Sequence, residues 1–376
     1  MDYWCNMVTM KDIAETCGVS RTTVSLVLND RYVDNIKLSE TLRKRIKHTS
    51  KEMGYQPNRN AIALRNGRNP AIGIFLPSAR GGLVYDLVCG MSEIALKSHY
   101  SVFLSSGYSS ENFTCFLENA KKMSTSGIIA YFPFHDVIYL PEFRNQTNAL
   151  IKNGKLEYYP YQELDIKNEE YYLAINDFNK CGGKVVLLNE VPEIYKSSDS
   201  PVKYVACNDI AGGEIAATHL LERGCESFYI ISFYARCFRD RQNGYRGKLA
   251  EAGKKCTTFN IWELSSGFVN EKALFDIFNK IKTGKRPIGL FLSSDYVGIP
   301  VYEYFKSQGF EIGKDIKIVG YNDLEVTKYM IPGLTSIQQH FQEAGAAAMK
   351  TIIAMFDDEA VESQMIMPEI VIREST

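Results

Sequence analysis

Seven short apolar runs, separated by stretches of helical periodicity, constrain this chain more than any other feature. They fall at 72–76, 101–105, 127–132, 184–188, 228–231, 289–292 and 316–320. A strand that keeps one face in water alternates polar and apolar residues, whereas a run apolar throughout is buried on both faces. Between the first two runs, Leu87, Met91, Ile94 and Ala95 recur at helical spacing. Strand and helix alternating in this way predict parallel sheets covered on both sides. Two successive sets predict two α/β lobes, with a ligand cleft near the C-terminal ends of the strands. At 376 residues the chain exceeds one ordinary core.

Composition narrows the class. Hydrophobic residues make up 45% and charged residues 23%, a globular balance. No apolar stretch has the length of a membrane span. Residues 1–10 include Asp2 and Asn6 and lack a basic segment followed by an apolar one, so no secretory signal is expected and the cytoplasm is the expected compartment. Nine cysteines are scattered without C-x-x-C spacing and read as reduced thiols. The net charge of −1 hides an asymmetry: residues 1–68 hold 12 Lys/Arg against 7 Asp/Glu, and the remainder 31 against 37. A basic head on an acidic body suits a polyanionic partner for the head.

Within that head, Thr9 followed by Asp12 forms a capping-box-like start, and Met10, Ile13, Ala14 and Cys17 give the following helix one apolar face. Gly18-Val19 ends it. Ser20 then caps a second helix over 21–28, with Val24, Val27 and Leu28 inward and Arg21, Thr22, Ser25 and Leu26 elsewhere. Two short helices around a tight glycine turn predict a helix-turn-helix, whose second helix presents its first residues to base edges in the major groove. A helical hairpin on an ordinary protein surface has the same periodicity.

The strings "KDIAETCGVSRTTVSLVLN" and "GYQPN", with Ala61, Leu64 and Arg65 following, resemble the two signatures of the LacI–GalR family of transcription regulators. Further segments in family order are "NDIAGGEIAATHLLERG", "RQNGYRGKLAEAG", "FLSSDYVGI", "VGYND" and "PGLTSIQQ", so the resemblance covers nearly the whole chain. It implies an all-α helix-turn-helix head and a two-lobe periplasmic-binding-protein-like α/β sensor domain, with parallel sheets and three crossovers. The boundaries it suggests are 1–56 for the head and 57–68 for a hinge helix and linker. One lobe takes 69–205 with about 324–356, the other 206–323 with about 357–376. The partners implied are double-stranded operator DNA, a small effector such as a sugar, and a second copy of the chain. The protein is expected on the nucleoid, with no membrane and no cofactor.

By the same resemblance Arg21, Thr22 and Leu26 fall at base-reading positions. Thr9, Ser20, Ser25, Asn29, Ser39 and Tyr55 fall where the backbone is contacted, and Ala61 and Leu64 where a hinge helix enters the minor groove. Leu26 is apolar where relatives often carry a polar reader, and the loop over 30–37 is a few residues longer than usual. In the body, Arg241 and Asp295 match effector-binding positions. A guanidinium fork and a carboxylate suit the hydroxyls of a sugar, although a structural ion pair between the two would also explain them. Trp262 falls near an aromatic platform or is simple packing. Ser78, Leu83, Val84 and Asn189 align with other ligand positions but differ from the usual residues.

An insertion over about 136–168 carries Tyr139, Phe143, Tyr158, Tyr159 and Tyr161. It reads either as a lid over the cleft or as a surface or dimer-contact extension. No G-x-S-x-G, H-E-x-x-H, P-loop or G-x-G-x-x-G string occurs, and the five histidines lack metal-ligand spacing, so no enzyme and no metal site are expected. Two alternatives remain beside the effector-controlled regulator. One is a two-lobe sugar-binding protein, the other a regulator that answers to a protein partner.

Overall fold

A computed structural model describes residues 8–28, 38–55, 69–77, 82–107, 110–131, 169–189, 191–233, 236–261 and 271–376. The chain divides into two compact units, Met1–Arg68 and Asn69–Thr376. Asn29, Ala61, Leu64, Ser78, Trp262, the hinge over 57–68 and the insertion over 136–168 lie outside the described residues.

Among its described residues the first unit contains three helices: α1 (Met10–Cys17), α2 (Arg21–Leu28) and α3 (Glu40–Glu52). Each begins on a hydroxyl side chain. Thr9 and Asp12 exchange backbone and side-chain hydrogen bonds in a capping box; Thr23 N–H donates to Ser20 Oγ at 3.1 Å, and Leu42 N–H to Ser39 Oγ at 3.3 Å. These oxygens satisfy amide groups that the first helical turn leaves without carbonyl partners. Gly18 ends α1 in the left-handed region, at φ 62°, where its N–H returns to the Ala14 and Glu15 carbonyls. The turn aims α2 across α1, and Ile13, Ala14, Cys17, Val24, Val27 and Ile46 form one small core.

The second unit is built on two six-stranded sheets. The first holds β1 (Asn69–Leu76), β2 (Ser101–Ser106), β3 (Thr125–Tyr131), β4 (Lys184–Leu188), β5 (Val202–Cys207) and β11 (Gln364–Ile366), in the order β11-β5-β4-β3-β1-β2. All its pairings are parallel. The second holds β6 (Ser227–Phe233), β7 (Cys256–Ile261), β8 (Ile288–Leu292), β9 (Ile316–Tyr321), β10 (Thr335–Gln338) and β12 (Glu369–Val371), in the order β12-β10-β9-β8-β6-β7. Only β12 runs antiparallel to its neighbour. Buried clusters cover both faces of the inner strands of each sheet, which is why their runs are largely apolar; the edge strand β2 departs from this, with Val102 and Leu104 exposed.

Three crossings join the lobes. The chain leaves the first sheet after β5 and enters α7 (Asp209–Glu222), which belongs to the second lobe. It returns after β10 through α12 (Phe341–Phe356), which packs on β3, β4 and β5. It crosses again between β11 and β12. Asn208 N–H donates to the Ile366 carbonyl at 2.9 Å, so the first and third crossings run side by side. The boundaries expected from sequence differ here. Residues 335–338 belong to the second sheet, not to the 324–356 segment of the first lobe, and 364–366 return to the first sheet from the segment given to the second. β11 is a three-residue edge strand, mostly exposed, and three residues are too few to show a strand period.

Helix α8 (Arg236–Glu251) lies against α7 closely enough that backbones touch. A Cβ on Gly244 would run into the Ile210 carbonyl, and one on Gly213 into the Arg241 carbonyl. The same device occurs in the first lobe, where α4 (Gly82–Lys97) meets α12 at Gly90 and Gly345. No helix among the described residues is long and apolar enough to cross a membrane.

Candidate functional site

In the head, Arg21 and Thr22 stand exposed in the first turn of α2, the turn whose amides Ser20 caps. Leu26 and Ser25 are half-buried, one turn further along. Tyr55 is half-buried beside Arg21: burial raises its hydroxyl above the ordinary value, and the Arg21 charge opposes that rise. Thr9, Ser20 and Ser39 lie at the N-termini of α1, α2 and α3, where the helix dipole favours negative charge. Arg45, by contrast, is committed internally, its Nη2 donating to the Cys17 carbonyl at the end of α1. An exposed guanidinium and hydroxyl on the leading turn of a capped helix can donate to base edges, while the flanking helix starts accept phosphate.

In the body, polar side chains collect at the C-terminal ends of the strands. Asn189 follows β4 at φ 66°; its N–H donates to the Val205 carbonyl at 3.0 Å and its Nδ2 to Tyr131 Oη at 2.5 Å. Leu83 and Val84 are half-buried in the first turn of α4 and pack on the core of the first lobe. These three residues line the first lobe's end of the strands.

The second lobe holds a buried polar cluster around Arg241, whose relative exposure is 3%. Its Nε donates to Asp209 Oδ1 at 3.0 Å, Nη1 to the Ser293 carbonyl at 2.7 Å, and Nη2 to Gln339 Oε1 at 3.5 Å. Asp209 Oδ1 also accepts from Tyr321 Oη at 2.7 Å and from Gln339 Nε2 at 2.9 Å. The guanidinium lies over the Tyr321 ring at 4.0 Å and the Phe238 ring at 4.9 Å. Burial raises the Asp209 carboxyl above its ordinary range, and Arg241 is the largest influence opposing it. Burial also pushes the neighbouring Cys207 thiol up to about 12, which keeps it a protonated, unreactive core group.

Asp295 sits just past β8 with no exposed surface. Its Oδ2 accepts from the Leu324 N–H at 2.8 Å and its Oδ1 from Ser336 Oγ at 2.7 Å. Burial pushes its carboxyl up to about 7, against these two bonds. The carboxylate on Arg241 is therefore Asp209 and not Asp295. The Arg241–Asp295 pairing weighed from the sequence is replaced by two arrangements, one around the Arg241–Asp209 pair and one around Asp295. Asp209, Tyr321 and Gln339 escaped the sequence reading. The signal for Asp209 lay in Arg241 itself, since a buried arginine needs a counter-charge.

Residues 9–58 match the bacterial regulatory proteins, lacI family, and residues 217–376 match the periplasmic binding protein-like domain. The chain thus joins a DNA-binding region of the lacI family of bacterial regulatory proteins to a periplasmic-binding-protein-like domain, and it is a regulator and not an enzyme. It is 25% identical to the HTH-type transcriptional repressor PurR of Vibrio cholerae over 374 residues, 98% of each chain. It is 24% identical to the ribose operon repressor of Haemophilus influenzae, again over 98% of both. Among solved structures, the lac repressor dimer bound to operator and the anti-inducer ONPF shares its fold with a TM-score of 0.71, 20% identity and 99% coverage of each chain. The CelR–cellobiose complex does so at 0.60, 20% identity, and coverage of 98% and 100%. The family's two parts correspond to the three-helix head and the two-lobe body described above.

Proposed function

We propose that the protein is a sequence-specific transcriptional repressor that binds a palindromic operator as a homodimer and is controlled by a small effector in the cleft between its lobes. One observation carries this: a capped helical head with Arg21 and Thr22 exposed on its second helix is joined, in one chain, to a two-lobe body whose second lobe holds a buried polar cluster at its strand ends. The relatives support it, being named as repressors, and solved structures of the same fold carry operator DNA or sugars.

In this proposal Arg21 and Thr22 read base edges, with Leu26 meeting a thymine methyl. Thr9, Ser20, Ser25, Asn29, Ser39 and Tyr55 fix the head on phosphates, and Ala61 and Leu64 enter the minor groove from the 57–68 hinge. The effector lies against Asn189, Leu83, Val84 and Ser78 on one lobe and the Arg241 and Asp295 arrangements on the other, with Trp262 stacking on a sugar face. The protein works on the nucleoid in the cytoplasm. Effector binding biases the crossings and thereby operator affinity, and the coupling is reciprocal.

Selection of random duplex DNA by the purified full chain at one stated salt concentration tests the proposal, because affinity at an unspecified salt carries little information. A palindrome with two half-sites is the expected result. Recovery of unrelated sequences, both with and without a panel of sugars, would overturn it.

A further inference from the structure

Arg241 brings a positive charge to the proposed effector site, but that charge is balanced inside the protein. Its Nε meets Asp209 at 3.0 Å, its Nη1 is held by the Ser293 carbonyl at 2.7 Å, and Gln339 accepts from Nη2 at 3.5 Å. Two aromatic rings face the guanidinium at 4.0 and 4.9 Å. Asp209 is the first residue of α7, so the helix N-terminus further stabilises its negative charge. Tyr321 Oη and Gln339 Nε2 add two more donors to the same carboxylate oxygen. Gly212 makes this possible, since a Cβ there would collide with the Tyr321 hydroxyl. Two further acids lie at this end of the strands, Asp323 and the buried Asp295, and Asp323 is already paired with Arg373 at 2.7 Å.

We infer that Asp209 sets the charge class of the effector, so that the site takes an uncharged hydroxyl-bearing molecule and rejects phosphorylated or carboxylated ones. This rests on the effector-controlled reading above. An anion approaching Arg241 meets a guanidinium already paired and must also approach the Asp209 carboxylate, a like-charge encounter in a poorly solvated place. A neutral polyol pays no such penalty and can bond to the rim of the cluster. Removing the carboxylate while keeping the side chain's shape, as in Asp209→Asn, leaves Arg241 with an unbalanced charge that an external anion can satisfy.

The test uses the full chain, melted alone and with matched probe pairs: D-ribose against ribose 5-phosphate, D-glucose against glucose 6-phosphate, and inorganic phosphate at constant ionic strength. For the wild type, no phosphorylated probe and no phosphate should raise Tm beyond the ionic-strength control. Asp209→Asn should gain a saturable rise of about 2–5 °C with phosphate or the sugar phosphates. Adding Arg241→Gln to it should abolish that gain. A saturable phosphate response of the wild type that Arg241→Gln removes overturns the inference, even if Asp209→Asn fails to fold. So does a folded Asp209→Asn chain with no anion response. Failure of the effector reading is separate: it appears as wild-type protein unmoved by a broad panel of neutral sugars, and the anion gain of Asp209→Asn is read without reference to that panel.

Discussion

Two arginines show how differently the head and the body use the same side chain. Arg21 stands exposed on the leading turn of α2, with the helix start beneath it and its fork toward solvent. Arg241 is buried, and all three of its nitrogens donate to protein acceptors. An exposed guanidinium keeps its hydration until a polyanion displaces it, so it contributes to binding and little to folding. A buried one has already lost its water, and the fold depends on its partners. Removing each should therefore break a different property.

The largest effect is expected at the buried pair. Arg241→Ala leaves Asp209 buried without its counter-charge and should lower stability by about 3–5 kcal/mol in denaturant melts. Operator discrimination by the folded fraction should survive. Next comes a pH dependence. The Asp295 carboxyl titrates at about 7 in the fold against 3.8 for the free group, so the native state keeps a proton that the unfolded chain releases. Its contribution to stability is present at low pH and is lost as pH rises from about 4 through 7, by on the order of 4 kcal/mol. Asp295→Asn, which cannot ionise, should flatten that slope; an unchanged slope would place the titration elsewhere.

Overpacking follows in size. Gly244→Ala pushes a methyl into the Ile210 carbonyl on the neighbouring helix and should cost about 1–3 kcal/mol or more, because backbone cannot rotate aside. It should also disturb Arg241, three residues earlier on the same helix, whereas Gly90→Ala in the first lobe should cost as much without touching the cluster. In the head, Arg21→Ala should leave the melting temperature unchanged and weaken one operator position by about 1–3 kcal/mol. Equal weakening on every sequence would make Arg21 a phosphate contact. Smallest is the cap: Ser39→Ala should cost about 1 kcal/mol of head stability, through the lost bond to the Leu42 amide.

Much of this architecture was legible because it is local or periodic. Ile13, Ala14 and Cys17 declare the buried face of α1 by spacing alone, and the apolar runs of the inner strands declare two-sided burial, whereas the run at 101–105 forms an exposed edge strand. Residue chemistry at single turns, such as Thr9 with Asp12 and Gly18, was readable for the same reason. What sequence did not disclose is convergence. Residues 209, 241, 321 and 339 meet in one cluster although no period relates them, and it is the packing of α7 and α8 against the ends of β9 and β10 in the second lobe that brings them together. The edge strand at 364–366 was hidden because three residues are too few to show a period. Arg241 and Asp295 were identifiable as important residues, but not which carboxylate pairs with which base.

The central claim is that a base-reading head and a ligand-binding body are coupled. The most direct measurement is the affinity of the full chain for its selected duplex, at one fixed salt, with and without the neutral sugar that most raises its melting temperature. The affinity of that sugar is then measured with and without the duplex. A change in duplex affinity matched by an equal change in sugar affinity is expected, typically about 5–150-fold. Duplex affinity that stays the same at saturating sugar would contradict the coupling.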